Sequence, residues 1–306
     1  MTARNMTDQD FLEGARKSPK RIVVPSAANQ EALEAISMAF TNGALKKATL
    51  IGDPTAIAAK AKAINLDINK CEIIECYDDD DAATLAVSHV VGGHGDFLLK
   101  GQLDTKKYLK AVLNKSAGIV EAGRILSHVT VTSIPTYPKP LLFTDVAINI
   151  APDVETKIQI VKNAIEVATK LGIERPKVAL VAAVEKVNPK IVSTTDAAAV
   201  VEAAKQGAFP QAAVEGPYDL YIATSKEAAE IKGVQGEVCG DADILVFPAL
   251  DAGNVFYKTI QRFVPGCWNA GVVAGAKIPV LLPSRADDAK SKLMSILVAA
   301  WIASNS

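Results

Sequence analysis

The sequence is poor in aromatic, histidine and cysteine side chains, and its charges almost cancel. Aromatic residues make up 5% of the 306 residues, and the formal net charge at pH 7 is −1. A nearly neutral chain offers no broad basic surface, so we expect no nucleic-acid partner. The three histidines and four cysteines are too scattered for a zinc site or a catalytic triad, so no metal site is predicted.

No apolar run is long enough to cross a membrane. The longest, Ala270–Pro283, is interrupted by Gly275 and Lys277, and it is shorter than the roughly 20 residues that a helical span needs. Met1–Lys20 is polar and charged, which is not the pattern of a signal peptide. Scattered cysteines without a pairing pattern fit a reducing compartment. We therefore expect a cytoplasmic protein with no membrane contact.

Aliphatic side chains supply the core instead. Hydrophobic residues make up 49% of the chain, and a core of Ala, Val, Ile and Leu favours parallel sheets covered by helices. Predicted strands and helices alternate, beginning with a strand at Arg21–Ala27 and a helix at Gln30–Asn42 that Asn29 can cap. The length suggests two domains or one large one. The predicted fold class is therefore α/β.

Two apolar runs near the C-terminus are followed by polar residues. Ala242–Pro248 is typical of a strand buried on both faces, and a polar elbow at Asn254 precedes a predicted helix. Gly271–Pro283 predicts a second buried strand, and it ends abruptly on Ser284-Arg285-Ala286-Asp287. Ligands of open α/β sheets bind beyond the carboxyl ends of strands. Arg285 is suited to a phosphate there, because its guanidinium makes paired hydrogen bonds.

These stretches carry short words that resemble one protein family. The words are ADILVFP, AGN-x-x-YK, AGVVAGAKIPVLL and SRAD, together with LSHVTVTSIP, LLFTDVAINIAPD and VEGP earlier in the chain. In this order they resemble the phosphate acyltransferases, that is, the phosphate acetyltransferase and phosphate butyryltransferase family. The pattern is closer to the butyryl branch than to the acetyl branch.

The resemblance implies a fold and a reaction. The fold would be two three-layer α/β/α domains of isocitrate/isopropylmalate dehydrogenase type with a cleft between them, in a homodimer. Residues 1–145 with 280–306 would form the first domain, and residues 146–279 the second. The reaction would move a short or branched acyl group reversibly between coenzyme A and inorganic phosphate. Acyl-CoA, CoA, phosphate and acyl phosphate would be the ligands, with CoA as a substrate and no cofactor.

The resemblance also implies catalytic roles beside the SRAD word. Arg285 would clamp phosphate, although a surface ion pair with a neighbouring aspartate is the alternative. Ser284 would donate to phosphate or to the developing oxyanion, unless it only caps the last helix. Asp287 would receive the thiol proton, with Asp288 as the other candidate; either could instead stabilise a helix N-terminus. The acetyl branch has its aspartate further past the Ser-Arg pair, about where this chain has Ser291 and Lys292, so a third alternative is that the thiolate forms without a dedicated base.

Three further residues match substrate-binding words of the family. Asn254 would hydrogen-bond acyl phosphate or hold the cleft edge, with a helix cap as the alternative. Lys100 and Gly101 follow a predicted buried strand, and Lys100 would neutralise phosphate unless it is simply solvated.

Other functions remain open from the sequence. Tyr221 occupies a position where the family usually has an aspartate. A protein that binds CoA or acyl phosphate without turnover is therefore an alternative function. Phosphate acetyltransferase is the nearest alternative enzyme. A metal-dependent hydroxyacid dehydrogenase shares the expected architecture, but it would need a cluster of acidic ligands that the sequence does not show.

Overall fold

Strands and helices alternate along most of the chain in the computed structural model, which describes residues 6–284 and 287–305. The strands are β1 Lys20–Pro25, β2 Leu45–Gly52, β3 Cys71–Glu75, β4 Phe97–Leu99, β5 Ser127–Ser133, β6 Leu141–Thr144, β7 Lys177–Val181, β8 Ala213–Tyr218, β9 Ile244–Val246, β10 Trp268–Ala274 and β11 Val280–Leu281. The helices are α1 Asp8–Lys17, α2 Gln30–Thr41, α3 Pro54–Ala63, α4 Asp79–Val91, α5 Thr105–Val112, α6 Val154–Lys170, α7 Val192–Lys205, α8 Leu220–Thr224, α9 Lys226–Ile231, α10 Leu250–Phe263 and α11 Ala289–Ser304. The predicted α/β class is confirmed.

Short polar side chains begin many of the helices. Asn29 accepts a hydrogen bond from the Ala32 amide at 2.8 Å at the start of α2. Asp153 does the same for the Thr156 amide at 2.8 Å at the start of α6. Pro54 occupies the first turn of α3, where its missing N–H costs no hydrogen bond. Among the described residues, no helix is both long and apolar enough to span a membrane.

The chain divides into two compact units. The continuous unit is Ile125–Asn269, and the discontinuous unit combines Thr7–Arg124 with residues 270 onward. The changeovers between these two units fall at residues 124/125 and 269/270. One reason is that β5 pairs with β6, so both belong to the continuous unit.

The discontinuous unit contains strands from both ends of the chain. Its strand order is β3-β2-β1-β4-β11-β10. The first five strands run parallel, and β10 is antiparallel to β11. Helix α2 packs on α11, which also contacts α1, and α4 packs on α5. The carboxyl ends of β1, β4 and β11 therefore meet at one edge of this unit's sheet.

The continuous unit has the strand order β5-β6-β9-β7-β8. Strands β5 and β6 are antiparallel, and the other pairs are parallel. Its core includes Phe143, which meets Phe256 edge to face with ring centroids 5.2 Å apart. Helices α8, α9 and α10 all contribute to this apolar cluster.

Two element boundaries differ from the expectation. Gly271–Pro283 is not one strand, because the chain reverses after β10 and returns as β11. Gly275 has φ of +97° in this reversal, a conformation that favours glycine. Helix α10 begins at Leu250 rather than after an elbow at Asn254, so that the polar residues form its first turns.

Candidate functional site

A cavity of about 450 Å³ lies in the discontinuous unit, where its parallel strands end. Three residues that the sequence singled out, Lys100, Gly101 and Ser284, line it. Lys100 and Gly101 follow β4, and Ser284 follows β11. The size is within the range of about 300–1,000 Å³ that is usual for small-molecule sites. The structure thus brings these three residues together at the strand edge where ligands of α/β proteins bind.

Gly101 allows the backbones at this edge to approach closely. A Cβ atom at residue 101 would lie 2.3 Å from the carbonyl oxygen of Pro25 and 2.4 Å from that of Ser26. The next amide, Gln102 N–H, donates to the Ser26 carbonyl at 2.9 Å. Gly101 therefore shapes the cavity by its lack of a side chain.

Lys100 lies at the end of β4 and is half-buried. Its amide donates to the Leu281 carbonyl at 3.1 Å, which joins the exits of β4 and β11. Its ammonium Nζ lies 3.3 Å from the Gly101 carbonyl, to which it donates. The charge is thus held beside the cavity, and Lys100 is not a fully solvated strand-end lysine.

Ser284 and Asp287 are bonded to one another. The Asp287 carboxylate Oδ2 accepts the Ser284 amide hydrogen at 2.7 Å, and the Asp287 amide donates to the Ser284 carbonyl at 3.2 Å. Asp287 is only 7% exposed. Arg285, the expected phosphate clamp, lies outside the described residues together with Ala286.

The last helix is capped by Asp288 and not by Ser284. The Asp288 carboxylate accepts the Ser291 amide hydrogen at 2.7 Å, so the alternative role considered for Ser284 belongs to Asp288. The Ser284 side chain remains beside the cavity. Ser291, where the acetyl branch has an aspartate, is fully buried.

Two lysines that line the cavity were missed from the sequence. Lys60 comes from α3 and Lys292 from α11. Lys60 stands beside the buried positions Ile57 and Ala61 of its helix, so the helical period places it at the edge of the packed face. No motif marks either lysine, and only the fold brings them together.

Asn254 lies in the continuous unit, on α10. Its side-chain amide donates to the Val146 carbonyl at 3.0 Å. A Cβ atom on its neighbour Gly253 would lie 2.4 Å from the Asp145 carbonyl oxygen. Gly253 and Asn254 therefore hold α10 against the segment that follows β6.

Asp145 organises that segment from within. Its carboxylate is 3% exposed and accepts hydrogen bonds from the amides of His128, Ala147, Ile148 and Asn149 and from the Asn149 side chain. With this many donors the carboxylate has a structural role.

Tyr221, which replaces a usual aspartate, is 72% exposed on α8. The nearby Asp219 caps α8 through the Ile222 amide at 2.9 Å and pairs with Lys232. The Lys232 ion pair and the Ile222 amide outweigh the effect of burial and lower the pKa of Asp219. Asp219 therefore caps α8 and pairs with Lys232, and it does not replace the carboxylate that the family usually has at position 221.

The described residues offer no metal-ligand set. No group of three or more His, Cys, Asp or Glu side chains is arranged to hold an ion in residues 6–284 and 287–305. The donor set that a metal-dependent dehydrogenase would use is therefore not found in this part of the chain.

Comparison with known families settles the membership. The family described as "Phosphate acetyl/butaryl transferase" matches residues 6–85 and 78–300. This chain belongs to that family. It is a phosphate acyltransferase, and the expected family and enzyme class are confirmed.

Individual relatives cover both branches of the family. The phosphate butyryltransferase of Clostridium acetobutylicum is 41% identical over 94% of this chain and 95% of its own. A phosphate acetyltransferase of Rhizobium meliloti is 40% identical over 82% of this chain and 80% of its own. The crystal structure of a branched-chain phosphotransacylase from Enterococcus faecalis V583 superposes with a TM-score of 0.81 and 36% identity, covering 92% of this chain and 98% of the other.

Proposed function

We propose that this transferase moves a butyryl or short branched acyl group between CoA and inorganic phosphate. The observation that carries the proposal is the cavity at the ends of β4 and β11, lined by Lys100 and Ser284, in a chain that matches the family over nearly its full length. Acyl-CoA, CoA, phosphate and acyl phosphate are then its ligands. CoA is a substrate, and no further cofactor takes part.

The proposed chemistry needs one nucleophile and one leaving group. The CoA sulfur attacks the acyl carbon, the C–S bond forms, and the bond from that carbon to the phosphate oxygen breaks. Ser284 donates a hydrogen bond to the phosphate or to the developing oxyanion. Lys100 and Arg285 balance the charge of the released phosphate. Asp287 takes the thiol proton, and holding both substrates together supplies much of the acceleration.

The preference for a four-carbon or branched acyl group has its support in the relatives. The Clostridium acetobutylicum butyryl enzyme is 41% identical over 94% of this chain, whereas phosphate acetyltransferases that match over 96–98% of this chain are 34–36% identical. The Enterococcus faecalis structure, named as a branched-chain enzyme, has nearly the same extent. The identities of 41% and 40% are nearly equal, so phosphate acetyltransferase is the second candidate.

A chain-length series tests the proposal. Purified protein is assayed for phosphate-dependent loss of acyl-CoA with acetyl-, propionyl-, butyryl-, isobutyryl- and isovaleryl-CoA. We expect the highest kcat/KM with butyryl or a branched substrate. A clear maximum with acetyl-CoA selects the second candidate, and binding of CoA without exchange of labelled phosphate would count against turnover.

Arg285 is proposed to bind phosphate rather than CoA. Arg285→Ala should raise the KM for phosphate by at least about tenfold, because a charge-assisted pair is lost, and should leave the KM for CoA within about twofold. Initial rates at varied phosphate and CoA give both constants. Lys277→Ala, which removes a cation elsewhere in the same unit, is the control. Equal effects of Arg285→Ala on both substrates would refute the assignment.

We also propose that the enzyme is a cytoplasmic homodimer. The cysteines form no disulfide, which fits a reducing compartment; they are Cys71, Cys76, Cys239 and Cys267. Light scattering after size-exclusion chromatography tests the dimer: a mass near twice the 32.2 kDa of the chain is expected, and a monomer mass at assay concentration would contradict it.

A further inference from the structure

The cavity of the discontinuous unit contains more positive charge than phosphate release requires. Besides Lys100, it is lined by Lys60 and Lys292. Within the described part of the chain, neither of these two lysines has a side-chain ion pair or hydrogen bond. Glu31 is the single carboxylate among the lining residues that the structure describes. The cavity is therefore built with an excess of cationic groups.

The two lysines are held by different elements of the fold. Lys60 is on α3, next to the buried Ile57 and Ala61. Lys292 is on α11, next to the fully buried Ser291 and one turn before the buried Ser295. Because both helices pack by these neighbouring residues, the backbones that carry the lysines are fixed. The Cα positions of both lysines are therefore set before any ligand arrives, and only the side chains have to be ordered on binding.

The rest of the lining has a complementary character. The first turn of α2 borders the cavity at Asn29–Ala32, and the N-terminus of a helix adds a partial positive charge. Ala35, Leu99 and Pro283 contribute apolar surface. A cavity of about 450 Å³ with cations and apolar walls suits a ligand that combines phosphate groups with uncharged parts, and inorganic phosphate alone would leave most of it empty.

We propose that Lys60 and Lys292 bind the phosphate groups of the nucleotide end of coenzyme A. The inference rests on the proposed function, because CoA must be a substrate. Both lysines act on binding and not on the reacting atoms, so they stabilise the bound substrate and the transition state equally. Such uniform binding lowers KM and leaves kcat unchanged.

The test compares thiol acceptors that differ in their phosphates. Lys60→Gln and Lys292→Gln are assayed with butyryl phosphate and CoA, dephospho-CoA or pantetheine. We expect each variant to raise the KM for CoA about tenfold, since a hydrogen bond to a charged group is lost, with kcat and the KM for butyryl phosphate unchanged. With pantetheine, which has no phosphate, kcat/KM should equal that of the wild type.

Matched variants make the result specific. Lys62→Gln removes an exposed charge two residues away on the same helix and should leave every constant unchanged. Lys60→Arg and Lys292→Arg keep the charge and should restore most of the affinity for CoA. Circular dichroism confirms that each variant is folded.

The dephospho-CoA arm identifies the phosphate. An effect that disappears with dephospho-CoA assigns the lysines to the 3′-phosphate, and one that persists assigns them to the diphosphate; both support the proposal. Equal losses with CoA and pantetheine overturn it. A rise in the KM for inorganic phosphate without a change for CoA also overturns it.

The experiment separates this inference from the proposed function. If the wild type turns over none of the acceptors, the proposed function fails. CoA binding is then measured by calorimetry: wild-type binding that both glutamine variants weaken about tenfold upholds the lysine assignment by itself. CoA binding that is the same in all three proteins refutes it.

Discussion

At the scale of single residues, the site depends on what its carboxylates are bonded to. Asp145 is saturated by backbone and side-chain donors, and Asp219 by a helix amide and Lys232. Asp287 is joined to Ser284 through one carboxylate oxygen at 2.7 Å. Of these three carboxylates, Asp287 is the one beside a cavity-lining residue of the SRAD word. That position gives Asp287 a role in the shape of the site, and this role can be separated from its proposed role in proton transfer.

Asp287→Asn separates the two roles. The amide oxygen of asparagine can still accept the Ser284 N–H, but asparagine takes no proton. At pH 7 only roughly 3% of a thiol with a pKa of about 8.5 is ionised, so kcat should fall by up to about 30-fold. The loss should shrink as the pH rises to about 9. Rate profiles from pH 6 to 9.5 give the result.

A neighbouring variant is the control for this change. Asp288→Asn keeps the cap of α11, because asparagine is as good an N-cap as aspartate, and it should not change the profile. Parallel profiles for Asp287→Asn and the wild type would show that no proton passes to Asp287.

The glycines show what the sequence could and could not reveal at this scale. Gly101 and Gly253 both stand in family words, so the sequence marked them or their neighbours. The reason, a backbone oxygen 2.3–2.4 Å from any added Cβ, appears only in the folded chain. No sequence motif assigns Lys60 or Lys292 to a site, because lysines on helices are common. Only the packing of α3 and α11 places them at one cavity.

At the scale of elements, α11 connects the site to the packing of the discontinuous unit. It begins with the Asp288 cap, carries Lys292 at the cavity, and packs on α2 and α1. Trp301 near its end meets Phe11 of α1 edge to face, with ring centroids 5.9 Å apart. Helix α11 is therefore anchored at its N-terminal end by a cap and near its C-terminal end by aromatic packing.

Loss of the Asp288 cap of α11 should lower both the stability and the activity of the protein. Asp288→Ala leaves an amide of α11 without its acceptor and should lower the free energy of unfolding by about 1 kcal/mol. Because Ser284 and Lys292 flank this turn, kcat/KM should also fall. Asp153→Ala removes the corresponding cap of α6, in the continuous unit, and should lower stability without changing kcat/KM. Urea unfolding and steady-state assays measure both; an unchanged stability of Asp288→Ala would contradict the cap.

Sequence patterns located most elements but misjudged reversals inside apolar runs. Caps such as Asn29 and Asp153 act locally, within three residues, so they could be recognised in advance. The division of Gly271–Pro283 into β10 and β11 depends on which strands are available as neighbours. Both halves are equally apolar, and a periodicity argument alone does not place the turn. The same limit applies to α10, whose first amide, that of Leu250, donates to the distant Ile150 carbonyl at 3.0 Å.

At the scale of the whole molecule, a buried ion network ties distant segments of the continuous unit together. Lys139 is 5% exposed and pairs with Asp241 at 2.7 Å and with Asp243, and Lys177 pairs with Asp241 at 2.6 Å. Burial alone would raise the pKa of Asp241, but the hydrogen bonds from both lysines outweigh it and bring the pKa to about 2. Removing one partner from such a network leaves another charge uncompensated.

The network predicts a loss of stability in acid. A folded-state pKa below the unfolded value of about 3.9 stabilises the protein above that pH, and the contribution is lost as the pH falls from about 4 to 2. The Asp241 contribution is at most about 2.6 kcal/mol. Asp241→Asn should lower the free energy of unfolding at pH 7 and flatten its dependence on pH below 4.

Urea unfolding at pH 7, 4 and 3 measures this dependence. Glu237→Gln, which breaks the exposed ion pair with Arg175, is the comparison and should change stability little. Identical pH dependence in Asp241→Asn and the wild type would show that Asp241 does not titrate in this range.

The position of β11 between β4 and β10 affects how the chain folds during its synthesis. Phe97–Leu99 is synthesised long before Val280–Leu281, so β4 has no β11 to pair with during most of synthesis. The residues of the continuous unit are synthesised in succession, so that unit can finish folding in the meantime. A nascent or truncated chain that stops before residue 280 therefore presents an apolar strand edge, which invites pairing with other chains. For this protein, a late stop codon should yield aggregates rather than a shortened enzyme.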